Sequence, residues 1–131
     1  LRERTSKQVN FTIDAPNYAL YLPLNATLHS WCIENLIKNA TDAMKGKGEI
    51  HLKIIETPSS VQLYVSDTGC GIEKSKMNQI FEPGYSTKKR GWGLGLSLTK
   101  RIVKDYHNGK IKVYLSEIDK GTTFLITYYK S

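Results

Sequence analysis

The sequence predicts an α/β two-layer sandwich, with a mixed sheet of about five strands covered on one face by three helices. Three observations carry this. Apolar spacing alternates between strand and helix periods in the order βαββ, a polar connection, then αββ. Turn-forming clusters separate the segments, at Lys45-Gly46-Lys47-Gly48, Thr57-Pro58-Ser59, His107-Asn108-Gly109 and Asp119-Lys120-Gly121. Finally, 131 residues, 40% hydrophobic and 24% charged, suit one globular domain with one substantial core.

Residues 1–8 (Leu-Arg-Glu-Arg-Thr-Ser-Lys-Gln) are polar and read as a linker remnant, with the domain proper at 9–131. Val9–Ile13 alternates as an edge strand, placing Val9, Phe11 and Ile13 on one side. Tyr18–Tyr21 is a candidate short strand. Asn25 is a suitable N-cap for a long helix over 26–45. Its apolar set includes Leu28, Trp31, Cys32, Leu36, Ala40 and Ala43, mostly three and four apart. Strands over 49–56 and 60–67 form a hairpin around Thr57-Pro58-Ser59. Residues 73–90 are polar, contain Pro83-Gly84 and read as a long mobile connection. A second helix spans Leu94–Tyr106 and stops at His107-Asn108-Gly109. Lys110–Leu115 and Thr122–Tyr129 close the chain as a second hairpin.

The formal net charge is +7, which alone suggests a nucleic-acid binder. Its distribution argues otherwise. Lys88-Lys89-Arg90 adjoins a glycine-rich patch and equally suits a polyphosphate, so no nucleic-acid partner is expected. Cys32 and Cys70 form no C-x-x-C pair and read as free thiols of a reducing cytoplasm. His29, His51 and His107 have no zinc-ligand spacing with them. No apolar run approaches the ~20 residues of a membrane span, and no signal-peptide pattern is present. The chain begins at Leu1 rather than Met, which reads as an excised piece of a longer protein.

Three patches carry the candidate chemistry. The first is Glu34-Asn35-Leu36-Ile37-Lys38-Asn39-Ala40. Asn35 and Asn39 are four apart and share a helical face whose next position is Ala43. An amide oxygen can ligate Mg²⁺, which takes oxygen ligands and keeps waters and substrate phosphates. Two solvent-facing amides is the plain alternative. Glu34 is a poor general-base candidate, since at about 100° per residue it stands about 140° from Asn39. The second patch is Asp67-Thr68-Gly69-Cys70-Gly71-Ile72. Asp67 shares the parity of apolar Val61, Leu63 and Val65, so its carboxylate points to the core side. A purine amino group would give it a donor, while Gly69 and Gly71 let the backbone turn against a flat ligand. An Asx-turn at a strand end is the alternative. The third patch is Gly91-Trp92-Gly93-Leu94-Gly95-Leu96, at a helix start suited to phosphates. It is neither a Walker loop nor the dinucleotide fingerprint, and a flexible hinge is the alternative.

Together these residues resemble the ATP-binding catalytic domain of bacterial sensor histidine kinases, of the superfamily shared with gyrase, MutL and the ninety-kilodalton heat-shock chaperone. Glu34–Ala40 looks like the N box, Asp67–Ile72 like the first glycine box, and Gly91–Leu96 like the second. Ile80-Phe81-Glu82-Pro83 and Ser86-Thr87-Lys88 look like the F box, and Gly121-Thr122-Thr123-Phe124 like the final Gly-Thr element. The resemblance covers about residues 9–129 and implies the Bergerat-type ATP-binding fold. It implies that Asn39 coordinates Mg²⁺ and Asn35 supports phosphates or metal, the pair being the catalytic candidates. Asp67 would read the adenine amino group, with Thr122 holding a bridging water and Gly69, Gly71 and Ile72 framing the base. Ala43 would border the same pocket. Residues 73–93 would form an ATP lid anchored by Phe81. Gly91, Gly93, Leu94, Gly95 and Leu96 would hold phosphates, and Lys88, Lys89 or Arg90 would reach the γ-phosphate.

The implied function is to bind Mg·ATP and donate its γ-phosphoryl group to a histidine on a separate dimerisation and phosphoacceptor domain of the same two-component sensor. A response regulator would follow indirectly. The setting would be cytoplasmic, with any membrane attachment through other parts of the protein. Hydrolytic and serine-kinase relatives place Glu where this chain has Asn35, which favours transfer to histidine. No acceptor-histidine motif precedes residue 9, so this chain alone is expected to bind ATP without autophosphorylating. Trp92 and Gly84-Tyr85 depart from the family pattern and bear on lid conformation. The alternatives are an ATPase or serine kinase of the same superfamily, a degenerate docking module, and a nucleic-acid binder with steep salt dependence.

Overall fold

The structure is a computed structural model, described for residues 9–17, 25–45, 47–82 and 94–130. Its five strands are β1 (Val9–Asp14), β2 (Gly48–Glu56), β3 (Ser60–Asp67), β4 (Lys110–Glu117) and β5 (Gly121–Tyr129). They form one sheet in the order β1-β2-β3-β5-β4. β1 runs parallel to β2 and every other pairing is antiparallel, so the sheet is mixed as expected. The helical layer holds α1 (Ala26–Ala43), α2 (Leu94–Arg101) with its continuation Ile102–Tyr106, and short 3₁₀ turns at Lys74–Lys76 and Gln79–Phe81. The candidate strand Tyr18–Tyr21 lies outside the described residues.

Alternation sorts the sheet into a covered and an open face. Val61, Leu63 and Val65 of β3 and Phe124, Ile126 and Tyr128 of β5 are buried on one side. Cys32 and Leu36 of α1, with Ile102 and Val103, complete this core from above. A second cluster joins Ile37, Ala40 and Met44 to Val9 and Ile50 at the β1 end. The expected β1 stripe fades along its length, with Val9 buried, Phe11 half-buried and Ile13 66% exposed. The expected apolar face of α1 also needs correction at Trp31. It is 38% exposed and borders a shallow outer groove with Ala26, Thr27, Ser30 and Glu34, while Ile37 takes an inward position.

The helix ends follow backbone chemistry. α1 stops at Ala43 rather than residue 45 because Lys45 takes φ 56°, a left-handed conformation that closes a helix. The second helix was expected as one α segment over Leu94–Tyr106. It instead widens into a π-turn over Ile102–Tyr106, where consecutive Ile102 and Val103 are both buried. β4 runs to Glu117 rather than Leu115 because it carries a bulge. Val113 pairs with Phe124 and Leu115 with Thr123, leaving Tyr114 as the extra residue. Beyond it Ser116 stands opposite Thr122.

The end of the sheet remote from Asp67 is fastened by side chains. Asn25 Oδ1 accepts from the Leu28 N–H at 3.0 Å, which is the expected N-cap. The Asn25 N–H in turn donates to His107 Nε2 at 3.0 Å. His29 Nδ1 lies 2.8 Å from the Tyr128 hydroxyl, and both imidazoles meet the Tyr128 ring edge-on. Burial holds His29 and His107 below the ordinary histidine range, and for His29 the neighbouring His107 adds to it. The folded chain therefore binds these protons less tightly than the unfolded chain. Stability from this source is complete above the unfolded value and is lost as pH falls through it. Urea unfolding between about pH 7 and pH 5 should show that loss in the wild type and a shallower one in His107→Gln. Equal slopes would mean that His107 titrates alike in both states.

Candidate nucleotide-binding site

A cavity of about 370 Å³ opens between the C-terminal half of α1, the Asp67 end of β3 and the β4–β5 hairpin. Its wall is mostly apolar with a few polar groups, the usual composition of a small-molecule site. Asn39 and Ala43 reach it from α1, Asp67 and Thr122 from adjacent strands, and Ile72, Ile80 and Leu96 from the segments above.

The loop after β3 is tied down by several hydrogen bonds. Asp67 Oδ1 accepts from the Gly69 N–H at 2.8 Å. The Cys70 N–H donates to the Ala43 carbonyl at 3.2 Å, hanging the loop from the end of α1. The Cys70 carbonyl accepts from the Asp119 N–H at 2.8 Å, and the Ile72 N–H donates to Ser116 Oγ at 2.8 Å. Gly71 sits at φ +79°, where a Cβ would stand 2.3 Å from the Glu117 carbonyl oxygen. Gly121 sits at φ +131°, where a Cβ would stand 2.0 Å from the Asp67 carbonyl oxygen. Only glycine permits either approach.

Asp67 is thus both an Asx-turn acceptor and a cavity group, joining the two readings that the sequence left apart. It pairs with Thr122 across the sheet, as its parity requires. Burial raises its pKa above the ordinary aspartate value, while hydrogen bonds from the Gly69 and Thr122 backbone pull the other way. Its proton affinity thus reflects a carboxylate whose desolvation the two backbone donors only partly offset.

The other expected residues divide. Asn39, Ala43, Asp67, Gly71, Ile72, Leu96 and Thr122 all line the cavity. Gly69 is buried behind it, packed on Ala43. Asn35 is held back. Its Nδ2 donates to Thr99 Oγ1 at 3.0 Å, Thr99 Oγ1 donates to the Gly95 carbonyl at 2.8 Å, and Thr99 is fully buried. A Cβ at Gly95 would stand 2.9 Å from Asn35 Oδ1, so Gly95 marks where α2 meets α1. Phe81 sits beneath the cavity rather than in it, edge-on to Phe124 at 6.1 Å and with Lys100 Nζ 5.5 Å from its ring centroid. Leu94 is described as the first residue of α2. Lys88, Gly91 and Gly93, with Lys89, Arg90 and Trp92, lie outside the described residues.

Sequence reasoning missed several wall residues. Asp42, Lys45, Glu73 and Lys76 rim the opening, and Ile118 of the hairpin turn lines it while half exposed. Ser116 was missed too, because its inward position depends on the bulge at Tyr114. Asp42 and Lys45 were the legible ones, since they flank Ala43 at the end of the same helix.

The sequence profile of the histidine kinase-, DNA gyrase B-, and HSP90-like ATPases matches residues 27–130. The chain belongs to this ATPase family. Within it, the relatives are sensor histidine kinases. Sporulation kinase A of Bacillus subtilis (strain 168) is 43% identical over 96 residues, which are 73% of this chain and 16% of that protein. The histidine-protein kinase AtoS of Escherichia coli (strain K12) is 37% identical over 107 residues, 79% of this chain and 17% of that protein. Relatives of this kind are therefore much longer, and the chain spans between about a sixth and a quarter of their length. Among solved structures, the nucleotide-free catalytic domain of the histidine kinase ThkA superposes with a TM-score of 0.84 at 28% identity, covering 94% of this chain and 80% of that one. Within this ATPase family the chain is thus like the catalytic domains of histidine kinases in sequence and fold.

The raised proton affinity of Asp67 has a stability consequence. The folded chain holds this proton more tightly than the unfolded chain, so stability falls as pH rises from the unfolded value, near 3.8, through the raised folded one. Urea midpoints followed over that interval should decline in the wild type relative to Asp67→Asn, which has no such proton. Parallel profiles would show that burial of this carboxylate does not alter its ionisation.

Proposed function

We propose that this ATPase-family domain binds Mg·ATP in the cavity and donates the γ-phosphoryl group to a histidine carried by a separate dimerisation and phosphoacceptor domain. One observation carries the reading: a half-buried carboxylate, Asp67, closes one part of an apolar cavity that Asn39 and Leu96 border elsewhere. A carboxylate in that setting favours a ligand bringing an N–H donor, as the amino group of adenine does. The apolar wall of Ile72, Ile80 and Ile118 suits the faces of a flat base.

Magnesium fits the donor set. Among the described residues no cluster of three His, Cys, Asp or Glu side chains could hold a metal alone. Mg²⁺ in phosphoryl-transfer sites needs no such cage, because waters and phosphates fill most of its coordination sphere. The Asn39 amide, at the cavity wall, would supply the protein oxygen. When bound, the ion neutralises charge on the transferring phosphate. Asn35 would act through position, because its amide holds α2 by way of Thr99. That same bond places an amide where hydrolytic relatives would need a carboxylate, which supports transfer over hydrolysis. Lys88, Gly91 and Gly93 would complete the phosphate side. The partner would be the acceptor domain of the same protein, with a response regulator downstream; ThkA has been solved in complex with one, TrrA.

Calorimetric titration of ATP with and without Mg²⁺ tests the binding half. Asp67→Asn should weaken ATP on the order of 10- to 100-fold, the worth of a hydrogen bond to a charged group, with an unchanged circular-dichroism spectrum. Equal affinity in the variant would remove Asp67 from the site, and no binding to the wild type would leave a docking module. Radiolabelled ATP with a separately supplied acceptor domain tests the transfer half, where acid-labile label on the acceptor is the expected product.

A further inference from the structure

Among the described residues the Ser116 hydroxyl makes three polar contacts, and only one assignment of protons turns all three into hydrogen bonds. The Ile72 N–H at 2.8 Å can only donate. The Gly121 carbonyl at 3.2 Å can only accept. The Thr122 hydroxyl at 2.8 Å can do either. Ser116 has one proton and two lone pairs. Its proton therefore goes to Gly121, and its lone pairs take the Ile72 N–H and the Thr122 O–H. Thr122, 6% exposed, has then committed its only proton to Ser116. What it can offer the cavity it lines is lone pairs alone. Beside it, across the β3–β5 pairing, stands the acceptor Asp67.

We infer that Ser116 is a specificity-determining residue that acts through Thr122. It fixes the Thr122 hydroxyl as an acceptor, so that Asp67 and Thr122 together admit a purine with a 6-amino group and reject one with a 6-oxo group. The inference rests on the reading of the cavity as a nucleotide site. A keto oxygen set directly against two acceptors leaves all three without a donor, and such mismatches discriminate strongly. Ser116 reaches this position only because the Tyr114 bulge turns it onto the covered face of the sheet.

The test compares ATP and GTP binding by calorimetry in the wild type, Ser116→Ala and Ser116→Thr. The wild type should prefer ATP. Ser116→Ala frees the Thr122 proton to point at a keto oxygen, and the ATP-to-GTP affinity ratio should shrink roughly tenfold, the worth of one hydrogen bond. Ser116→Thr keeps the hydroxyl and should restore the ratio. If Ser116→Ala weakens both nucleotides by the same factor, or neither, Ser116 is only a tie to the Ile72 loop and the inference fails. Should Ser116→Ala lose its cooperative thermal transition, Thr122→Val removes the acceptor while leaving the Ser116 bonds to Ile72 and Gly121. It too must lower the ratio, and an unchanged ratio overturns the inference. A wild type that binds ATP but shows no Ser116 effect sinks this inference alone. A wild type that binds neither nucleotide removes the cavity reading and this inference with it.

Discussion

The site depends on how closely three backbone segments converge at the Asp67 end of the sheet. Gly71 lies against Glu117 and Gly121 against Asp67, each at a distance that no side chain tolerates. Those approaches bring the loop after β3 under the β4–β5 hairpin, where the hydrogen bonds from Asp119 and to Ser116 hold it. The Cys70 N–H then fixes the same loop to the end of α1. The loop so fastened sets Cys70, Gly71 and Ile72 in the cavity lining beside Asp67, and the remaining lining residues are placed by elements that already meet there.

The electrostatics follow from that convergence. A carboxylate drawn into a half-buried corner is disfavoured in its charged form, and two backbone N–H groups offset only part of this. The residual proton affinity belongs to the folded chain before any ligand arrives. A ligand that donates to Asp67 relieves a strain of solvation that the fold has imposed, so binding and burial draw on the same interaction. The α1–α2 contact through Asn35, Thr99 and Gly95 works differently. It is neutral and joins one helix to the other, as suits a joint rather than a ligand site.

Most of the fold was legible because it rests on periodicity. The alternation of Val61, Leu63, Val65 and Asp67 yielded both the strand and the direction of the carboxylate, and β3 and β5 bear it out. Asn25 announced the start of α1 by side-chain chemistry alone. What was not legible depends on tertiary contact. Nothing local to Asn35 says that its partner is Thr99, 64 residues on. Phe81 was expected to anchor a lid, but nothing in its own segment names Phe124 as the ring it meets. Trp31 fitted a helical stripe, yet it is 38% exposed, while Ile37 joins Cys32, Leu36 and Ala40 on the buried side. The inward aim of Ser116 needs a bulge, which leaves no signature in residue type.

That bulge has an evolutionary consequence. Tyr114 is 54% exposed and its ring meets Tyr64 edge-on on the open face, so its chemistry is loosely constrained. Its place in the count is tied to the bulge. Val113 and Ser116 are three apart yet share the covered face, so plain alternation of the same residues would send the serine to the opposite face, away from Thr122 and Ile72. A strand one residue shorter would keep the serine on the covered face with no bulge at all, so the extra residue and the bulge can only be gained or lost together.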